Sequence, residues 1–67
     1  MSVAKVTEIS AESPQGFEAA IKEGLARASK TLKHIQGAWV KEQHVRVEQN
    51  QIKAYRVHLK ITFILDE

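Results

Sequence analysis

The sequence predicts an α+β fold of order β-α-β-β, a three-stranded antiparallel sheet packed on one helix, on three observations. Apolar residues recur in steps of three and four between Ser13 and Ile35, the last dozen residues alternate apolar with polar, and the polar turn Gln49-Asn50-Gln51 separates two valine-bearing runs. At 67 residues and 7.6 kDa the chain has room for one domain, spanning 1–67, and no second.

The first strand is read over Val3 to Ile9, where alternation is mixed and the signal weakest. The helix is read from Ser13, a good N-cap, through Pro14 at the first helical position to an end marked by Gly37. Its stripe is Phe17, Ala20, Ile21, Leu25, Ala28, Leu32 and Ile35, with Glu18 and Glu23 toward the positive end of the dipole and Lys30, Lys33 and His34 toward the negative end. Gly24 interrupts that stripe at a cost of roughly 1 kcal/mol against alanine, which predicts a close approach by another backbone.

The second strand is read over Ala38 to Glu48 and the third from Tyr55 to Leu65, joined as a hairpin. A two-residue loop at Gln49-Asn50 sets Ala38 opposite Ile61, Val40 opposite Leu59, Glu42 opposite Val57 and His44 opposite Tyr55. The other face then receives Trp39 opposite Lys60, Lys41 opposite His58 and Gln43 opposite Arg56. The only tryptophan of the chain therefore stands on the sheet face away from the helix, among polar side chains. Such an indole serves either a subunit contact or a ligand platform.

A core this small supplies about 3–5 kcal/mol, and the chain has no cysteine with which to add a disulfide or a thiolate metal site. Self-association is the remaining staple. The formal net charge of +2 is too small to argue a nucleic-acid or membrane-surface protein. Lys41, Arg56 and Lys60 beside Trp39 resemble a single-strand platform only weakly, so neither nucleic acid nor membrane is expected as a partner. No apolar run is long enough to span a membrane, the N-terminus lacks the apolar core of a signal peptide, and a cytoplasmic location follows as the expectation.

Enzymatic chemistry finds no support in the pattern. No glycine-rich phosphate loop is present, the serines lack a histidine at a suggestive spacing, and His34, His44 and His58 show no metal-ligand spacing. His34 reads as a helix-end cation, His44 as a sheet residue opposite Tyr55, and His58 as the histidine facing the ligand side. The carboxylates Glu8, Glu12, Glu18, Glu23, Glu42, Glu48, Asp66 and Glu67 form nothing like an EF-hand loop, so calcium would need copies of one glutamate gathered by symmetry.

Several segments together resemble the dodecins: Lys5-Val6, Ala19-Ala20-Ile21, Leu25-Ala26-Arg27-Ala28, Lys30-Thr31-Leu32, and the closing Tyr55-Arg56-Val57-x-Leu59-Lys60-x-x-Phe63-x-Leu65. The resemblance covers almost the whole chain. It implies a hollow homododecamer with helices outward and strongly curved sheets lining the interior. It also implies a non-enzymatic storage role, in which flavins (riboflavin or FMN) are stacked in pairs between tryptophans at two-fold axes. Two positions depart from the flavin-binding pattern. Gly37 stands where those dodecins carry the stacking tryptophan, and Arg56 stands where a glutamine meets the polar edge of the ring. In these respects the chain is similar to the calcium-dodecin branch, which opens Ser2-Val3-x-Lys5-Val6 and shares a run like Val40-Lys41-Glu42-Gln43 and Tyr55-Arg56. That branch is not usually aromatic at the position of Trp39. A displaced stacking platform remains available, because positions 37 and 39 share a side of the strand about 7 Å apart. The expected ligand contacts are therefore Trp39, Arg56, Gln43, His58 and Gly37, with Arg56 a planar fork for a carbonyl, phosphate or carboxylate.

Overall fold

The computed structural model describes residues 3–65; Ser2 of the opening motif and the carboxylates Asp66 and Glu67 lie outside the described residues. The elements run β1 (Ala4–Ser13), α1 (Phe17–Ala28), β2 (Ile35–Glu48) and β3 (Gln51–Ile64), the order expected from the pattern. All strands are antiparallel, and β3 lies in the middle of the sheet in the order β1-β3-β2. This placement follows from β3's clean alternation, since a central strand must present an apolar row to the helix and backbone partners on both edges.

The helix is shorter than the apolar stripe. Ser13 does not cap it; as the last residue of β1 it pairs with Tyr55, is 1% exposed, and its Oγ accepts the Gln15 N–H at 3.1 Å. The N-cap is instead Gly16, at φ 150°. At the other end Ser29 Oγ donates to the Ala26 carbonyl at 2.8 Å, and the Leu32 N–H closes onto the Ala28 carbonyl at 2.8 Å. The helix stops there, but Leu32 and Ile35 still pack against the core, so apolar spacing outlasts the helical backbone. His34, with φ 61°, reverses the chain into β2, and Gly37 lies inside that strand rather than ending the helix. β1 in turn runs four residues beyond Ile9, because Ser10 to Ser13 find partners in His58 to Tyr55 despite poor strand propensity.

The core consists of Ala20, Ala28, Val57, Leu59 and Ile61, with Ile9, Ala11, Phe17, Ile21 and Leu25 at its margin. Phe17 meets Tyr55 edge to face, with centroids 5.1 Å apart and planes at 79°. The expected close approach at Gly24 is present: a Cβ there would lie 3.0 Å from Ala11 Cβ and 3.4 Å from Ile9 Cδ1. The helix packs chiefly on β1 and β3, and much of the hairpin projects past it in a chain measuring 52 × 19 × 13 Å. Val40, Val47 and Ile52 are left exposed.

The hairpin turn has the expected two-residue loop. Gln49 (φ 54°) and Asn50 (φ 62°) are both left-handed, the I′ geometry that matches strand twist, with Glu48 opposite Gln51. The register holds at Ala38/Ile61, Trp39/Lys60 and Val40/Leu59 but slips by one in between. Lys53 of β3 has no partner on β2 and Lys41 of β2 has none on β3, so between these two bulges Glu42 faces His58, Gln43 faces Val57, His44 faces Arg56 and Val45 faces Tyr55. The expected pairs Glu42/Val57, Gln43/Arg56, Lys41/His58 and His44/Tyr55 are thereby corrected. One extra residue on each strand restores the register at Trp39, while Glu42 to Val45 of β2 exchange faces and their β3 partners keep theirs.

Candidate functional site

The face of the sheet opposite α1 carries a row on β3 of Thr62, Lys60, His58 and Arg56, flanked by Gly37, Trp39, Glu42 and His44 of β2 and by Val6, Glu8, Ser10 and Glu12 of β1. Trp39 is 51% exposed, and Lys60 Nζ sits 6.0 Å from its ring centroid. The indole thus stands on an open surface, away from the helix, as the alternation predicted.

Ion pairs across β3 hold the rest of the face. Glu12 Oε1 accepts from Arg56 Nη2 at 2.9 Å and from Arg56 Nε at 3.1 Å, while Glu12 Oε2 lies 3.6 Å from Arg46 Nη2. Arg46 Nη1 also donates to Glu48 Oε2 at 2.7 Å, and Lys41 Nζ reaches Glu8 Oε1 at 3.3 Å. Two nitrogens of the Arg56 fork are therefore paired with a carboxylate of its own chain.

Of the residues singled out in the sequence, Trp39, Gly37, His58 and Arg56 share this face, but Arg56 lies four residues along β3 from the partner of Trp39, roughly 13 Å away. Gln43 does not join them. The bulge at Lys41 sets it opposite Val57, in the row of the helix-covered side. The same shift brings in a residue that alternation assigned elsewhere, since His44 stacks on His58 with centroids 6.5 Å apart and planes 26° from parallel. Glu8 and Glu12 also join the face, and the signal that could have found them was a first strand running as far as Ser13. At Gly37 a Cβ would meet no atom within 4 Å, so neither packing nor backbone demands glycine there.

Among the described residues no group of three or more His, Cys, Asp or Glu is gathered for a metal ion, and no helix is long and apolar enough to cross a membrane. A groove of about 640 Å³ runs between the free edge of β1 and α1, lined in part by Ser10, Glu12, Glu23, Arg27 and Thr31.

The order β-α-β-β with β3 central, and a sheet half covered by one helix, now meets its relatives. The dodecin family model matches residues 3–66. The chain belongs to the dodecin family. A dodecin of Thermus thermophilus is 42% identical over 65 residues, covering 97% of this chain and 94% of that protein. Among solved dodecins, that of Streptomyces davaonensis superposes with a TM-score of 0.94 at 36% identity, over 98% of this chain and 97% of the other. An arginine-to-alanine mutant of the Thermus thermophilus dodecin gives 0.95 at 40% identity, with both chains fully covered. The calcium dodecin of Mycobacterium tuberculosis, described as a calcium-chelating immunodominant antigen with a novel calcium-binding site, gives 0.84 at 35% identity, over 97% and 93% of the two chains. Dodecins, a calcium dodecin among them, are thus fold relatives of this chain.

Proposed function

We propose that this dodecin, a single domain over residues 1–67, assembles as a cytoplasmic homododecamer that sequesters riboflavin or FMN by stacking and performs no catalysis. The observation that carries this reading is the half-exposed Trp39 indole on the uncovered sheet face. A planar ligand on an indole gains dispersion and loses hydration on both surfaces, most strongly where a second copy closes the site from the other side. Gly37, two residues along the strand, leaves room for a ring system beside Trp39, and Lys60 and His58 supply polar contacts at its border.

Assembly is supported by the protomer's energetics. Five residues make the buried apolar cluster. Val6, Trp39, Val40, Val47 and Ile52 meanwhile stay exposed, an apolar surface that a small soluble protomer covers by association.

The second reading is a calcium-dodecin-like assembly without flavin, favoured by Gly37 and Arg56 at the family's tryptophan and glutamine positions and by the likeness to the calcium dodecin. It is the weaker one, because Glu8 and Glu12 already serve Lys41, Arg46 and Arg56, and calcium seeks six to eight oxygens. A fluorescence titration of riboflavin with the purified protein tests the choice. The flavin reading expects saturable quenching that Trp39→Ala removes. Unquenched riboflavin together with a saturable calorimetric signal on adding calcium would replace it by the second reading.

A further inference from the structure

The reading above uses His58 only for a contact at the border of the flavin and leaves its stacking on His44 unexplained. The two imidazoles stand on neighbouring strands as diagonal neighbours, His44 opposite Arg56 and His58 opposite Glu42, brought to one face by the bulge at Lys41. We infer that His44 and His58 form a two-imidazole site for a divalent transition metal of the zinc, nickel or copper class.

The two rings are within reach of chelation but are not yet turned for it. Nitrogens about 2.0–2.1 Å from a shared metal in tetrahedral arrangement set imidazole centroids roughly 5–5.5 Å apart. The centroids here are 6.5 Å apart and the rings are stacked, with planes 26° from parallel, so their in-plane lone pairs do not converge. Closing the site takes an approach of about 1 Å and a turn of the rings toward a common point, through the χ1 and χ2 torsions of two side chains that are not buried.

The surrounding charge permits a cation. Arg56 is paired with Glu12, Arg46 with Glu12 and Glu48, Lys41 with Glu8, and Lys60 is drawn over the Trp39 ring. Glu42 pairs with His58 across the ladder, on the same face. Two imidazoles without a third protein ligand leave the remaining positions to water, which makes this an exchangeable site rather than one on which folding depends. Imidazole nitrogen favours zinc, nickel and copper, whereas calcium takes oxygen, so calcium does not compete. The site stands on its own whether or not a flavin binds.

The test is a zinc titration of the assembled full chain by calorimetry at neutral pH, paired with NMR of the imidazole resonances. The expected result is saturable binding that is lost in acid buffer and unaffected by excess calcium. Replacing either ligand, His44→Gln or His58→Gln, lowers the affinity at least tenfold, the loss typical of disturbing even an outer-shell partner. His34→Asn and Trp39→Ala leave it unchanged, the latter separating this site from the flavin platform. In the wild-type protein, zinc perturbs the His44 and His58 resonances and not His34, a readout independent of whether the variants assemble. Absence of saturable heat in the wild type, binding retained in both ligand variants, or perturbation centred on His34 overturns the inference.

Discussion

Trp39 and Lys60 face each other directly across the β2 and β3 ladder, with the ammonium 6.0 Å from the indole centroid. This pair sits beyond the bulge at Lys41, where the register is again the one that alternation dictates. An indole this exposed contributes little to the chain's own core, and the proposed function gives it a planar guest.

The first consequence concerns Trp39 itself. Trp39→Ala is expected to abolish riboflavin quenching while shifting the unfolding free energy of the protomer by less than about 1 kcal/mol, as for an exposed substitution. Fluorescence titration and chemical denaturation of the same sample check both halves.

Gly37 offers the converse experiment. Because a side chain at this position meets nothing within 4 Å, Gly37→Trp is expected to fold normally and to tighten riboflavin binding by adding a second stacking surface. Unchanged affinity in a correctly assembled variant would count against stacking on this stretch of β2.

Glu12 holds both arginines of the face, and the pairs it makes are only partly buried, with its own side chain 33% exposed. Glu12→Gln is therefore expected to cost no more than about 1 kcal/mol. It frees the Arg56 fork and adds one positive charge, so FMN should gain affinity relative to riboflavin, with the gain shrinking as salt rises. Paired titrations of the two flavins at low and high ionic strength measure this.

Gly24 tests the packing of the helix on β1. Alanine would improve helix propensity by about 1 kcal/mol, yet its Cβ meets Ala11 Cβ at 3.0 Å, a contact between two backbone-fixed atoms that no rotamer change relieves. Overpacking of this kind costs about 1–3 kcal/mol, so Gly24→Ala lowers the denaturation midpoint and a compensating Ala11→Gly recovers part of the loss.

At the hairpin turn the natural residues are poorer than the geometry allows. Gln49 and Asn50 both hold positive φ, for which Asn-Gly is the favoured pair. The double change Gln49→Asn, Asn50→Gly is expected to stabilise the hairpin by roughly 1 kcal/mol, relieving left-handed strain at two positions. A higher melting temperature with unchanged subunit number is the expected outcome.

Most of the fold was legible in the residues because each element carries one dominant period: Phe17 to Ala28 on a helix, Tyr55 to Ile64 on a strand. What misled was pattern continuing past its element. Leu32 and Ile35 keep helical spacing while the backbone has already left the helix, and Ser13 has the chemistry of a cap but serves a strand end. The site was half legible. Trp39, Gly37, His58 and Arg56 fall on the face that alternation assigns them, whereas Gln43 and His44 exchange sides through bulges at Lys41 and Lys53. Nothing in those two lysines announces a bulge, since the extra residue is chosen by how the curved strands must meet rather than by local propensity.

Native mass spectrometry of the full chain with added riboflavin bears most directly on the whole account. A homododecamer carrying flavin, with the flavin absent from the Trp39→Ala assembly, is the predicted result. A stably folded monomer, or an assembly that takes up no riboflavin, contradicts it.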